Sequence, residues 1–378
     1  MHDIPRLEAI DALRGYAVLG VVLVHSSGFV PAESPTLRML MALGVHGTSL
    51  FFLVSAMSLC LSWQARSAHE PRPVLAFYIR RFCRIAPMFY AAMVLYLVLD
   101  GMSPRYWAPD GLQWWHVAST ALFAHGVHPE TINAVVPGGW SVAAEMGFYL
   151  ILPALLVHLK STRQAALCFV ASLALCAAGV MLVQGVFGPQ RPGQTHYLIS
   201  TFLFRNVLSQ LPVFAMGMLL AHLYRRPDTA PGLAILAGVL AIVWGLRALL
   251  PPDSGIAQVL SRNLVPGATL AIAAYALARR PVKLLVHPAV CKLGQWSFSI
   301  FLLHSAVLEG LTRLGVKASL GTGDLSSVLF FLIASSLAVP LSWASYSAVE
   351  RPGIAWGRRL IAKLATRAPT AQRDISPG

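Results

Sequence analysis

The stretch "LRGYAVLGVVLVHSS" at residues 13–27 is apolar enough to enter a lipid bilayer, yet it contains Arg14 and His25. The chain of 378 residues is 56% hydrophobic and only 12% charged. A soluble globular protein carries about 25% charged residues, so this composition indicates a membrane protein. We therefore predict an all-α, polytopic integral membrane protein that has this stretch in its first helix.

A membrane-spanning helix needs about 20 mostly apolar residues, and the sequence predicts about ten such helices. No small-residue cleavage site follows the first apolar run, so we expect that run to remain as a helix. The stretch 114–126 is ambiguous because it is apolar but too short to cross easily. The ten predicted spans are 10–30, 42–63, 85–99, 140–158, 165–187, 203–224, 231–250, 263–279, 293–311 and 325–349.

The distribution of basic residues decides between ten spans and eleven. With ten spans and a cytoplasmic N-terminus, 21 of the 29 Lys and Arg residues lie on the cytoplasmic side. An eleventh span at 114–126 would move several later basic loops outside, against the positive-inside rule. We therefore predict cytoplasmic N- and C-termini, and an outer cap or re-entrant segment over 101–139.

The domain organisation predicted from the sequence is simple. We expect one membrane domain over 1–360 and a disordered cytoplasmic tail over 361–378. The formal net charge is +14. The basic residues are spread over membrane-edge loops rather than gathered on one face, which argues against nucleic acid as a partner. No metal is expected, because His116, His125 and His128 lack the spacing of a metal site.

Three polar residues of the first span share one helix face. Arg14 and His25 are separated by three full turns plus about 20°, and by about 16 Å along the helix axis. Asp11 lies one turn before Arg14 on a similar face. The first helix is therefore predicted to carry a polar track from the cytoplasmic boundary to the outer half of the bilayer.

Ionisable residues of two other spans are predicted at the depth of His25. The helix of "GGWSVAAEMGFY" (138–149) starts on the outer side, which places Glu145 a turn or so below that surface. "LGQWSFSIFLLHS" (293–305) rises outward and carries His304. A charge at the bilayer centre costs about 2.5–3.5 kcal/mol on insertion scales, so such residues face a cavity and one another. Three at one level predict a site; the alternative is that each makes a structural hydrogen bond.

Basic residues gather at the cytoplasmic end of the third span, in "YIRRFCRIAP" (78–87). Arg81 and Arg84 are one turn apart, and Arg80 is adjacent. Forked guanidinium groups suit phosphate and pyrophosphate, so this cluster predicts an anion site at the inner end of the cavity. The alternative is a topology anchor that binds lipid phosphates.

Six short sequence elements of this chain also occur, in the same order, in a known family. Together they extend from residue 11 to residue 352, and the chain resembles the acyltransferase-3 family of membrane O-acyltransferases. The elements are "DALRGYAVLGVVLVH" (11–25), "GTSLFFLVSAM" (47–57), the Arg81-x-x-Arg84 pair, "WSVAAEMGFYL" (140–150), "LGQWSFSIFLLH" (293–304) and "VERP" (349–352).

The resemblance implies transfer of an acyl group, usually acetyl from cytoplasmic acetyl-CoA, to a hydroxyl of a cell-surface or lipid-linked glycan. The expected location is the bacterial inner membrane, among membrane lipids. His25 is the expected general base, and Glu145 is expected to orient the base or the acceptor. The predicted site residues are catalytic His25, Glu145 and Asp11; cofactor-binding Arg14, Arg80, Arg81 and Arg84; and substrate-binding Trp140, Ser141 and His304.

Three alternatives stay open at the level of sequence. His25 can act as a nucleophile that forms an acyl-histidine intermediate, instead of as a base. The acceptor can be a small molecule, such as an antibiotic sugar, instead of a glycan. A proton-coupled transporter also uses His and Glu in its membrane helices, but it predicts internal pseudo-symmetry that this sequence does not show.

Overall fold

The computed structural model describes residues 7–188 and 196–366, and all regular secondary structure in these ranges is helical. Short breaks at Gly, Pro and polar residues divide the apolar sequence into these helices. In chain order the first eight are α1 (Glu8–Phe29), α2 (Pro35–Ala42), α3 (Gly47–Arg66), α4 (Pro73–Asp100), α5 (Trp114–Ala121), α6 (Gly139–His158), α7 (Thr162–Phe187) and α8 (His196–Arg205).

Nine helices follow, and π-helical turns at Leu260–Leu264 and Tyr346–Glu350 join two pairs of them without a break. Each of the ten predicted spans overlaps one long helix of the structure. The nine are α9 (Val207–Tyr224), α10 (Ala230–Leu249), α11 (Gly255–Val259), α12 (Val265–Arg279), α13 (Pro288–Gln295), α14 (Ser297–Arg313), α15 (Val316–Leu320), α16 (Asp324–Ser345) and α17 (Arg351–Thr366).

Within the described ranges, eight helical stretches are long and apolar enough to cross a membrane. They are Glu8–Phe29, Pro35–His69, Pro73–Asp100, Gly139–His158, Thr162–Phe187, Tyr197–Tyr224, Ala230–Leu249 and Asp324–Ala365. The other two predicted spans, 263–279 and 293–311, fall on α12 and α14, which have 15 and 17 residues. The membrane character is thus supported, while ten spans and cytoplasmic termini stay predictions.

Helix α1 lies at the centre of the bundle, where it packs against α3, α13, α14 and α16. Small residues permit the closest approaches. A Cβ on Gly294 of α13 would lie 1.8 Å from the Asp11 carbonyl oxygen, and one on Gly47 of α3 would lie 2.4 Å from that of Ala17. These contacts bring the neighbouring helices against the face of α1 that carries its polar residues.

The connection between α4 and α6 contains the ambiguous apolar stretch 114–126. Its helix α5 has eight residues, which is about 12 Å and too short to cross a bilayer. The following residues 131–136 are all buried in the protein. The connection therefore folds back against the bundle, and its placement on the outer side stays a prediction.

The C-terminal boundary differs from the sequence prediction. Helix α17 continues through Thr366, so residues 361–366 are helical and the expected disordered tail over 361–378 does not begin at residue 361. An amphipathic helix forms here because basic residues alternate with apolar ones at helical spacing. The remaining part of the predicted tail, 367–378, lies outside the described residues.

Buried His125 ties the α4–α6 connection to the start of α6. Its side chain is 1% exposed, its Nε2 lies 2.9 Å from the Gly139 carbonyl oxygen, and its ring stacks on Phe89. Because a carbonyl only accepts, Nε2 donates the hydrogen. Burial lowers the pKa of His125 to about 4, so the folded protein holds this ring neutral.

A pH dependence of stability follows from this burial. The unfolded chain binds a proton at His125 below about pH 6.5, whereas the folded chain resists protonation down to about pH 4. We expect the melting temperature in detergent to fall between these pH values as the pH is lowered. His125→Gln, whose amide can still donate to Gly139, should flatten that slope in thermal-shift scans. His158→Gln, at the exposed end of α6, should leave it unchanged, and an equal slope in both variants would contradict the assignment.

Candidate active site

Two cavities of the described structure are lined by predicted site residues, one nearer the predicted cytoplasmic end and one nearer the predicted outer end. The first, called the inner cavity, has an empty volume of about 670 Å³, including its solvent-connected part. Helices α1, α3, α4, α6 and α14 supply its polar lining: Arg14, Thr48, Ser55, Arg81, Arg84, Ser141, Glu145, Tyr149 and Ser297.

Three guanidinium groups converge on the inner cavity. Arg14 comes from α1 and donates to the Ser58 hydroxyl over 2.8 Å, while Arg81 and Arg84 come from consecutive turns of α4. The buried Nε of Arg81 has no hydrogen-bond partner in the described structure. A cluster of forked donors with an unused N–H is suited to bind a phosphate or another anion.

Carboxylates partly balance these cations. Glu145 interacts electrostatically with all three arginines, and its Oε1 accepts hydrogen bonds from the Ser55 hydroxyl at 2.5 Å and from the Tyr149 hydroxyl. Glu145 is therefore part of the inner cavity. The structure shows no hydrogen bond between Glu145 and His25, so the two residues that the sequence placed at one depth do not form a pair.

Two other residues assigned to the site lie outside both cavity linings. Arg80 forms a two-pronged ion pair with Glu70 at 2.5 and 2.9 Å. Because one step along a helix turns the side chain by about 100°, Arg80 points away from the face shared by Arg81 and Arg84. Asp11 is buried where α1 meets α13, and its charge acts on Arg14.

His25 and His304, from α1 and α14, are brought together. His25 Nδ1 lies 2.8 Å from His304 Nε2, and His304 Nδ1 lies 2.7 Å from the Phe301 carbonyl oxygen. Since a carbonyl only accepts, Nδ1 of neutral His304 carries the hydrogen, and its Nε2 is an acceptor. His25 Nδ1 must then be the donor. Assigned in this way, the hydrogen-bond network leaves a free lone pair on His25 Nε2.

His25 opens onto the second cavity, called the outer cavity. Its side chain is exposed there, and the cavity has an empty volume of about 950 Å³, including its open part. Thr48 and Phe301 line both cavities, so the two spaces are adjacent at these side chains. The other polar and aromatic residues of the outer lining are Tyr106, Trp107, Asn133, Trp140, Arg205 and Ser305.

The neighbours Trp140 and Ser141 are divided between the two cavities. Trp140 lines the outer cavity, while Ser141 lines the inner one and donates to the Gly138 carbonyl oxygen over 3.0 Å. One helix step separates them by about 100°, which accounts for the division. Of the residues expected to contact the acceptor, Trp140 thus lies beside His25, and His304 supports His25 from behind.

Sequence reasoning gave no role to Glu350, although it lies in the quoted "VERP" element. Glu350 is fully buried at the end of the second π-helical turn, where it accepts from the Ser299 hydroxyl at 3.1 Å and interacts with Arg84 and Arg14. The sequence feature that could have identified Glu350 is a single carboxylate at the end of an apolar span. Arg205 and Asn133 were likewise missed, because neither falls in a recognisable spacing.

Comparison with known proteins identifies the family of this chain. The acyltransferase-3 family model, described as an acyltransferase domain, matches residues 7–347. The chain belongs to the acyltransferase-3 family. It is an acyltransferase of membrane character, and the resemblance inferred from its sequence elements is confirmed. This membership favours acyl transfer over the transporter that the sequence left open.

Two curated relatives match this chain over most of its length. It is 26% identical to acyltransferase MdmB of Streptomyces mycarofaciens, over 88% of this chain and 89% of the relative. It is also 26% identical to the exopolysaccharide production protein ExoZ of Rhizobium meliloti (strain 1021), over 86% of this chain and 95% of the relative. No solved structure matches the chain at a significant level.

Removal of Glu350 provides a test of the charge balance at Arg84. Glu350→Ala leaves buried guanidinium groups without this partner, which typically costs about 3–5 kcal/mol. We expect a large loss of thermal stability in detergent. Glu309→Ala is the matched control, because Glu309 pairs with Arg313 while both side chains are about half exposed. Exposed pairs contribute about 0–1 kcal/mol, and equal losses for the two variants would contradict the role of Glu350.

Proposed function

We propose that this protein is a membrane O-acyltransferase that transfers an acetyl group from cytoplasmic acetyl-CoA to a hydroxyl of a cell-surface or exported glycan. The observation that carries the proposal is that two cavities lie next to each other and share Thr48 and Phe301 in their linings. One cavity is lined by three arginines, and the other is lined by His25. This arrangement separates a site for an anionic donor from a site for an uncharged hydroxyl.

The inner cavity is the proposed site for the donor. The phosphate groups of acyl-CoA would bind Arg14, Arg81 and Arg84, and the free Nε–H of Arg81 supports this fit. The pantetheine arm would then run along the polar face of α1 toward Thr48. The spacing of Arg14 and His25 on that face matches an anchor at one end and chemistry at the other.

His25 is the proposed general base. Its Nε2 takes the proton of the acceptor hydroxyl while the hydroxyl oxygen forms a bond to the thioester carbon. The bond from that carbon to sulfur then breaks, and the departing CoA sulfur takes the proton from His25. The products are an ester and free CoA, so protons balance and no further reactant is needed.

His304 is proposed as the residue that positions this base. By accepting from His25 Nδ1, it holds the tautomer in which His25 Nε2 is free, and it stabilises the imidazolium form that appears during transfer. An acyl-histidine on His25 is the alternative route. Mass spectrometry of the enzyme with acetyl-CoA, in the absence of acceptor, distinguishes the two routes by the presence or absence of an acetylated His25 peptide.

The glycan acceptor is proposed from the position of His25 and from the relatives. His25 faces the cavity at the predicted outer end, where a surface or lipid-linked glycan has access. One relative is named for exopolysaccharide production. The inner membrane of a bacterium is the proposed location, because cytoplasmic acyl-CoA and exported sugars lie on its two sides.

The base assignment is tested by the rate of CoA release with acetyl-CoA and a glycan acceptor. We expect His25→Ala to lower kcat about 100-fold or more, since general bases contribute about 10²–10⁴. His304→Ala should cause a smaller loss, because it removes orientation rather than the base itself. His158→Ala, at the exposed end of α6, is the control, and near wild-type turnover in His25→Ala would refute the mechanism.

The donor site is tested by binding of acetyl-CoA, measured by calorimetry on the detergent-solubilised protein. Arg84→Ala and Arg81→Ala should each weaken binding about 10- to 100-fold, as expected for loss of a charged hydrogen bond. Arg80→Ala is the matched control, because Arg80 lies on the same helix but is paired with Glu70. If all three variants lose affinity equally, general surface charge binds the donor and the proposed site is wrong.

A further inference from the structure

The outer cavity contains a cation that no acidic residue balances. Arg205 ends α8, and its guanidinium lies over the rings of Trp107 and Trp140, 4.8 and 5.4 Å from their centroids. Throughout the described residues, no hydrogen bond or ion pair joins Arg205 to a carboxylate. Its charge acts on His25, so the guanidinium and the proposed base border one space.

Among the described residues, Arg262 near the predicted outer end has no ion pair with a carboxylate either. Arg262 lies over the Phe204 ring at 4.6 Å, and Arg205 contacts the same ring at 5.7 Å. By contrast, Arg313 pairs with Asp100 and with Glu309. Since the positive-inside rule keeps outer loops poor in cations, an unpaired arginine in a cavity lining, with a second unpaired arginine close to it, calls for a local reason.

The same cavity has an unused buried amide. Asn133 lies in the buried run 131–136 and is only 7% exposed, and its Oδ1 has no hydrogen-bond partner in the described structure. A buried polar group without a hydrogen-bond partner destabilises a folded protein. A favourable interaction with the C-terminus of α8 explains the position of Arg205. It does not explain why the amide oxygen of Asn133 is buried without a partner.

Resting on the acyl transfer proposed above, we propose that the outer cavity binds an acceptor sugar that carries an anionic group. Arg205, assisted by Arg262, binds the anion, and the Asn133 side chain hydrogen-bonds a sugar hydroxyl. The apolar face of the sugar ring packs on Trp140, whose ring also borders Arg205. An anion held at Arg205 places a neighbouring hydroxyl of the same sugar beside His25 Nε2.

The anionic group is a carboxylate or a phosphate, because the guanidinium fork accepts both. A uronic acid residue carries the first, and a sugar phosphate or a lipid-linked sugar diphosphate carries the second. The two sources share the same charge and the same contact with Arg205. They differ in how far the anion lies from the reacting hydroxyl, so matched probes distinguish them.

The test uses the full-length protein in detergent with acetyl-CoA and paired acceptors. The probes are methyl glucuronide against methyl glucoside, and glucose 1-phosphate against glucose. We expect at least one anionic sugar to bind about 10-fold more tightly than its neutral partner by calorimetry, with a matching preference in kcat/KM for CoA release. The anionic sugar that shows the preference identifies the group.

Variants show whether Arg205 causes the preference. Arg205→Gln should abolish it while acetyl-CoA affinity stays unchanged, and Arg205→Lys, which keeps the charge, should retain part of it. Arg262→Gln should reduce the preference, which keeps the test valid if Arg205→Gln does not fold. Arg313→Gln, an exposed arginine near the same end, should behave as wild type.

The outcomes separate the two proposals. Equal binding and transfer of charged and neutral sugars, or an undiminished preference in a folded Arg205→Gln protein, overturns the anionic acceptor while acyl transfer stands. Absence of CoA release with every sugar, together with unchanged acetyl-CoA binding in Arg84→Ala, overturns the proposed function itself. In that case the calorimetric comparison of charged and neutral sugars still decides the binding proposal.

Discussion

The hydrogen bond between His25 and His304 is the interaction on which the proposed chemistry depends. His304 donates to the Phe301 carbonyl within its own helix, which forces its other nitrogen to accept from His25. The geometry of α14 therefore sets the tautomer of a side chain on α1. The backbone carbonyls of Ile300 and Phe301 thus determine the tautomer in which His25 Nε2 keeps a free lone pair.

Buried charges around the inner cavity are arranged with partners of opposite sign. Around the inner cavity, Arg14, Arg81 and Arg84 are partly balanced by Glu145 and Glu350. This balance lowers the free-energy cost of burying three cations. The two cavities share Thr48 and Phe301 in their linings, so in the proposed mechanism an anionic donor and an acceptor would approach the reacting centre from different sides.

Much of the fold could be predicted from the sequence, and less of the site. All ten predicted spans overlap long helices, because length and hydropathy are properties of one segment. Depth was also predictable, as shown by the contact between His25 and His304. The pairing of His25 with Glu145 was not, because depth gives only the position along a helix axis. Glu145 faces Ser55 and Tyr149 instead.

The sequence by itself determined the all-α membrane class, the acyltransferase-3 family and the shared face of Arg14 and His25, since each depends on composition or on spacing within a single helix. Only the tertiary structure decided that Arg80 pairs with Glu70, that Glu350 lies beside Arg84, and that Asn133 and Arg205 border the cavity of His25. The reason is rotational: a helix turns by about 100° per residue, and packing between distant segments selects which neighbour each face meets.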